Sequence, residues 1–246
     1  MFSFKRYLTQ FNSLLLLLRF RHLILLGIAA AVILIQDYLA IQKASTSGFS
    51  SFGVLTVLFI IILSNDVFFQ LRQNQTAMQY LLTPASSLEK YLAAWSYSAP
   101  LALILMLSFS YLVHFLGLSL GNAVASTHIP YGFPDGQRLW ILVNTASVLH
   151  AFFFFGSVLF KKHPVAKTIG LYLILVMLTS FIVVRFVLPN WSEFSKIKTQ
   201  INGSEDWFLN EEELKTLFKN AYYWIAYVFP LVAWTVSYYI FKRKEQ

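Results

Sequence analysis

Asp66, His114, Asn144 and His150 fall inside, or at the edge of, long runs of Leu, Ile, Val and Phe. An ionisable or amide side chain at membrane depth is expensive to place and so marks a site by default. Two imidazoles with a carboxylate and an amide could pass a proton along or, at suitable spacing, hold a metal ion. The spacing argues against the metal. Asn144 and His150 do not share a helical face, His114, His128, His150 and His163 are scattered, and no H-E-x-x-H element is present. The chain has no cysteine, which removes thiolate ligands and disulfides together. A Walker A sequence is missing as well. No catalytic set, cofactor or metal is therefore expected, and the chain is not read as an enzyme. The four intramembrane polar residues form a site only if they converge in space. A lone histidine among apolar residues is ordinarily a hydrogen-bonded packing residue, and Asp66, near a helix end, is expected to reach headgroups or to pair locally, with Arg72 as one candidate partner.

These residues must be positioned by membrane-spanning helices. Of 246 residues, 57% are hydrophobic and only 12% charged, with a mean hydropathy of +0.61, the composition of a polytopic membrane protein. A span needs roughly 20 mostly apolar residues. Six runs qualify, near His22–Leu39, Phe52–Phe69, Leu92–Leu118, Leu139–Phe160, Ile169–Leu188 and Tyr222–Phe241. The fold class is an all-α integral membrane protein forming one membrane domain over 1–246. Residues 1–21 form an interfacial helix, 22–188 the first five spans, 189–221 an outer segment, and 222–246 the last span with a basic tail.

The net charge of +8 is better read as orientation than as a nucleic-acid footprint, because basic residues collect in cytoplasmic loops. With the N-terminus inside, 12 of the 19 Lys and Arg face the cytoplasm. Lys161, Lys162 and Lys167 crowd one tight turn, and six spans return the Lys242-Arg243-Lys244 tail to the same side. Both termini are thus expected in the cytoplasm of a cell with this chain in its inner membrane. Arg19, Arg21 and His22 interrupt the first apolar stretch, which fits an amphipathic interfacial helix better than a signal peptide. Asp37 and Lys43 are expected in a short outer loop. Gly27 and Ala31 put small residues four apart on the first span, where another helix, from this chain or a second copy, can approach closely. Tyr91 and Trp95 are expected in an interfacial aromatic belt, with a kink at Pro100.

The most constructed non-spanning segment is Gln73–Trp95. Thr76 with Gln79 has capping-box spacing and opens a short helix with Met78, Leu81 and Leu82 as its apolar stripe. Pro84 stops it, and Ser86 with Glu89 supplies a second capping box that opens the next helix. A short helix, a turn and a fresh helix make a rigid elbow. On the opposite side, Asn210 with Glu213 is a further capping-box pair expected to open a short outer helix feeding the last span.

An interfacial first helix, six spans, a cytoplasmic elbow between the second and third and an outer helical segment before the last together resemble the membrane subunits of type-2 ATP-binding-cassette exporters. The stretch Tyr80-Leu81-Leu82-Thr83-Pro84-Ala85-Ser86-Ser87-Leu88-Glu89-Lys90-Tyr91 also resembles an L-L-P-A-S-x-x-E-K-type element of permease-like proteins of Bacteroidetes-type bacteria. The resemblance implies that the elbow docks in a cleft of a separate ATPase subunit, a helix-in-groove contact. Thr76, Met78, Leu81, Leu82, Pro84, Ser86 and Glu89 would form the coupling surface. It also implies a homodimer or heterodimer of permeases that meets along the first and fifth spans. A non-transporting membrane scaffold or regulator of the same shape is the alternative.

Overall fold

The computed structural model describes residues 2–43, 50–69, 80, 82–125, 135–182 and 211–245, and every described element is helical. In chain order these are α1 (Phe4–Gln42), α2 (Ser50–Asp66), α3 (Ser87–Ser96), a π-helical turn (Tyr97–Leu101), α4 (Ala102–Ala125), α5 (Gly136–Leu159), α6 (Pro164–Ile182) and α7 (Glu211–Glu245). Three stretches, Phe4–Gln42, Ser87–Ala125 and Gly136–Leu159, are long and apolar enough to cross a bilayer, and Phe52–Asp66 and Pro164–Leu178 are shorter apolar helices. The chain is a membrane-embedded helical protein.

The expected interfacial helix and first span are one unbroken helix. With 39 residues, α1 is about 58 Å long at 1.5 Å per residue, nearly twice the roughly 30 Å of a hydrocarbon core. Leu14, Leu18, Ala29, Ile33, Asp37 and Ala40 are its buried residues, so both halves pack on the bundle. Asp37, expected in a loop, lies inside α1 and is 3% exposed. The apolar run simply continues past it for another turn, because a buried partner is available.

α1 runs parallel to α3 and α4: Arg6 meets Glu89, His22 meets Tyr97 and Asp37 meets His114 in that order. Pro100 lies in the π turn that joins α3 to α4. Proline has no N–H to donate to the preceding turn, and a single wider turn absorbs that loss without ending the helix. The kink expected there is thus realised as a local change of helical pitch.

The core is heavily aromatic where α2, α3, α5 and α7 converge. The Phe68 ring lies 5.1 Å from Phe154 and 5.3 Å from Phe241, and the Tyr91 ring packs edge-on to Phe154 at 5.4 Å. Tyr91 also donates to the Trp234 carbonyl at 2.6 Å, and Trp95 stands edge-on to Trp234 at 5.3 Å. Both side chains thus pack against α7.

Two small contacts fix the outer helices. Gly156 of α5 sits so close to Thr168 of α6 that a Cβ there would overlap the hydroxyl. Lys244, near the end of α7, donates to the carbonyls of Val158 and Leu159, which have no partner within α5 at its final turn.

Candidate functional site

The elbow is built around one carboxylate. Ser86 caps α3 by accepting from the Glu89 amide at 3.3 Å, while Glu89 Oε2 accepts from the Ser86 amide at 2.7 Å. This is the reciprocal capping box that the Ser86/Glu89 spacing implies. Glu89 Oε1 is also used: it accepts from the Ser3 amide and from Arg6 Nη2 at 3.0 Å. Glu89 is fully buried although Arg6 is half-exposed, so the anion is held by directed donors from two segments. The first turn of α1 and the start of α3 are thereby fastened at a single point. Beside it, Lys90 is buried with its ammonium 5.3 Å from the centre of the Tyr80 ring, a cation–π contact.

Three of the described residues around the turn are open. Leu82 is 75% exposed, and Pro84 and Leu88 are exposed as well. Thr76, Met78 and Leu81, and the Thr76/Gln79 cap, lie outside the described residues.

The four polar residues in the apolar runs are distributed along the bundle. Asp66 pairs with Arg21 at 2.9 Å. Arg72, named as a partner from the sequence, lies outside the described residues; the cation seen on Asp66 comes from α1, which lies against the end of α2. His150 sits between Ser98 Oγ at 2.9 Å and Trp234 Nε1 at 3.1 Å. Its proton can be assigned. The indole N–H only donates, so Nδ1 must accept. Ser98 Oγ already donates to the Ala94 carbonyl at 2.8 Å, so it receives the Nε2 proton. His150 is therefore neutral, with both nitrogens committed, which is a packing role. Asn144 is half-buried elsewhere on α5.

His114 is different. Its Nδ1 is 2.8 Å from Asp37 Oδ1, both side chains are almost wholly buried, and the Phe52 ring lies edge-on at 5.0 Å. Since His150 bonds Ser98, and His114 lies about 24 Å farther along the same continuous rod at 1.5 Å per residue, the two histidines do not share a site. Asp37 was missed in the sequence because it lies at the end of an apolar run. A usable signal exists on the other helix. Gly117 and Gly121 form a G-x-x-x-G pair on α4, and a Cβ on Gly117 would stand 2.9 Å from Asp37 Oδ2 and from Leu34 Cδ2. The small-residue contact is thus made by these two glycines against α1, the close approach such pairs permit. Gly27 has nothing within 4 Å of an added Cβ, and Ala31 is exposed.

Among the described residues no group of three or more metal-ligating side chains is assembled. No protein-family model, curated protein or solved structure matches this chain.

Proposed function

We propose that this chain is the membrane-spanning permease subunit of an ATP-driven exporter, moved by a separate ATPase that docks on the elbow between α2 and α3. In this reading α2, α6 and α7 complete six spans with the three long ones. Both termini and the elbow lie on the cytoplasmic side of an inner membrane, and two permease copies enclose the path. Gly27 and Ala31, open on the outer face of α1, are available to the second copy.

The observation that carries the reading is the fastening at Glu89. A foot that transmits force must be joined stiffly to the spans it moves. Glu89 links the elbow to α1, while Tyr91, half a turn later, links it to α7 through the Trp234 carbonyl. Displacing the elbow therefore displaces two other helices as well as α3. Exposed Leu82, with Pro84 and Leu88 beside it, supplies apolar area for a groove on the partner.

Because the chain lacks cysteine, a single L82C variant carries one thiol. In native membranes it should cross-link to one nucleotide-binding subunit and to no other protein, with yield that changes when ATP is added. A yield indifferent to nucleotide, or a cross-link only to lipid, would contradict the assignment.

A further inference from the structure

Between α2 and α5, Val54, Val57 and Leu58 face Ile141, Thr145 and Leu149 across a groove of about 420 Å³. Val54, Leu58 and Ile141 are exposed, so the groove opens sideways, toward lipid. Buried Leu142 lies beneath Gly53 at its floor. A Cβ added to Gly53 would stand 3.7 Å from Leu142 Cδ1, an ordinary contact, so the missing side chain leaves space that helix packing does not require.

One end of the groove is charged. Arg138, the only charged residue among its walls, lies in the first turn of α5, which Asp135 caps by accepting from the Arg138 amide at 2.7 Å. The two side chains are only loosely paired. Arg138 Nε is 3.9 Å from Asp135 Oδ2, beyond hydrogen-bond reach, and the side chains are 67% and 64% exposed.

The depth matches one leaflet. From Arg138 to Leu149, α5 advances about 16 Å at 1.5 Å per residue, against roughly 15 Å for half of a hydrocarbon core. Beside the charged end, half-exposed Trp140 packs on exposed Tyr227 of α7, ring centroids 6.3 Å apart. Amphipathic rings of this kind collect at the membrane–water interface. The charges thus stand at headgroup height, and the apolar walls run from there toward the bilayer midplane.

The charges select the headgroup. A guanidinium binds a phosphodiester well, but a lipid whose only charge is negative would also meet the Asp135 carboxylate. A quaternary ammonium has no N–H for that carboxylate. A phosphoethanolamine supplies both, phosphate for Arg138 and ammonium for Asp135. We propose that the α2–α5 groove binds one acyl chain of a phosphoethanolamine-headed phospholipid, whose headgroup is held by Arg138 and Asp135. The inference does not depend on the exporter reading.

The test uses the full chain in lipid nanodiscs containing phosphatidylethanolamine with a photoreactive group in one acyl chain. After irradiation, label should concentrate on residues 54–58 and 141–149, several-fold above the exposed α6 residues Leu173 and Met177, which report ordinary lipid contact. T145W fills the groove and should remove that excess. Should T145W fail to fold, R138Q, at an exposed position, should still lower the excess several-fold. Unlabelled phosphatidylethanolamine should compete better than phosphatidylcholine or phosphatidylglycerol, and D135N, which keeps an equally good cap, should lose that preference. Label no denser than on α6, or an excess unchanged in R138Q, would mark annular lipid only and overturn the site. Stronger competition by phosphatidylglycerol would overturn the headgroup assignment, and a groove shielded from label by a second copy of the chain would overturn the lipid as its occupant.

Discussion

Gly117 lets α4 pass so near to α1 that the space a Cβ would need is already taken by Asp37 Oδ2, 2.9 Å away. The carboxylate can therefore turn its other oxygen onto His114. Helix approach and the Asp37–His114 hydrogen bond are one arrangement.

Gly117→Ala should consequently force Asp37 and Leu34 aside. Overpacking of this kind costs about 1–3 kcal/mol, read as a lower unfolding temperature in detergent. Gly27→Ala is the control. Nothing stands within 4 Å of an added Cβ there, so in the isolated chain the substitution should not lower the unfolding temperature and gains about 0.5–1 kcal/mol of helix propensity.

His150→Leu should strand the Trp234 indole N–H in the core. Leaving a buried donor unpaired costs about 1–3 kcal/mol, and His150→Gln, which can accept from Trp234 and donate to Ser98, should recover part of it. In the wild type, nitrogen chemical shifts should report a single neutral tautomer with the proton on Nε2. A proton found on Nδ1 would refute the assignment.

Glu89→Gln should free the first turn of α1. The amide keeps one acceptor oxygen but turns an NH2 toward donors that the carboxylate satisfied, and the Arg6 pairing loses its charge. Amide exchange over residues 3–9 should rise several-fold while α5 is unchanged. R6A and E89Q together should do little more than either alone, because both remove the same contact.

Local signals were the legible ones. Ser86 and Glu89 are three apart and complete each other's hydrogen bonds, so their spacing alone specifies the cap. Pro100 announces a fault in any helix that contains it. The Asp37–His114 pair joins residues 77 apart in sequence, and no periodicity within either helix encodes which neighbour it will meet. The Arg21–Asp66 pair likewise joins two helices, and only their side-by-side packing brings the two residues together. Tyr91 and Trp95 carry no local sign that α7 packs against them, since an aromatic residue near a helix end suits either a headgroup belt or a helix contact.

The exporter reading is tested most directly by ATP hydrolysis in complexes purified through this chain from native membranes. The account predicts that wild-type preparations carry an ATPase activity that is lost when Leu82 is replaced by Asp, with the helical content of the spans unchanged. Preparations without ATP hydrolysis, or an L82D variant that keeps all of it, would contradict the claim that the elbow is where a motor subunit is attached.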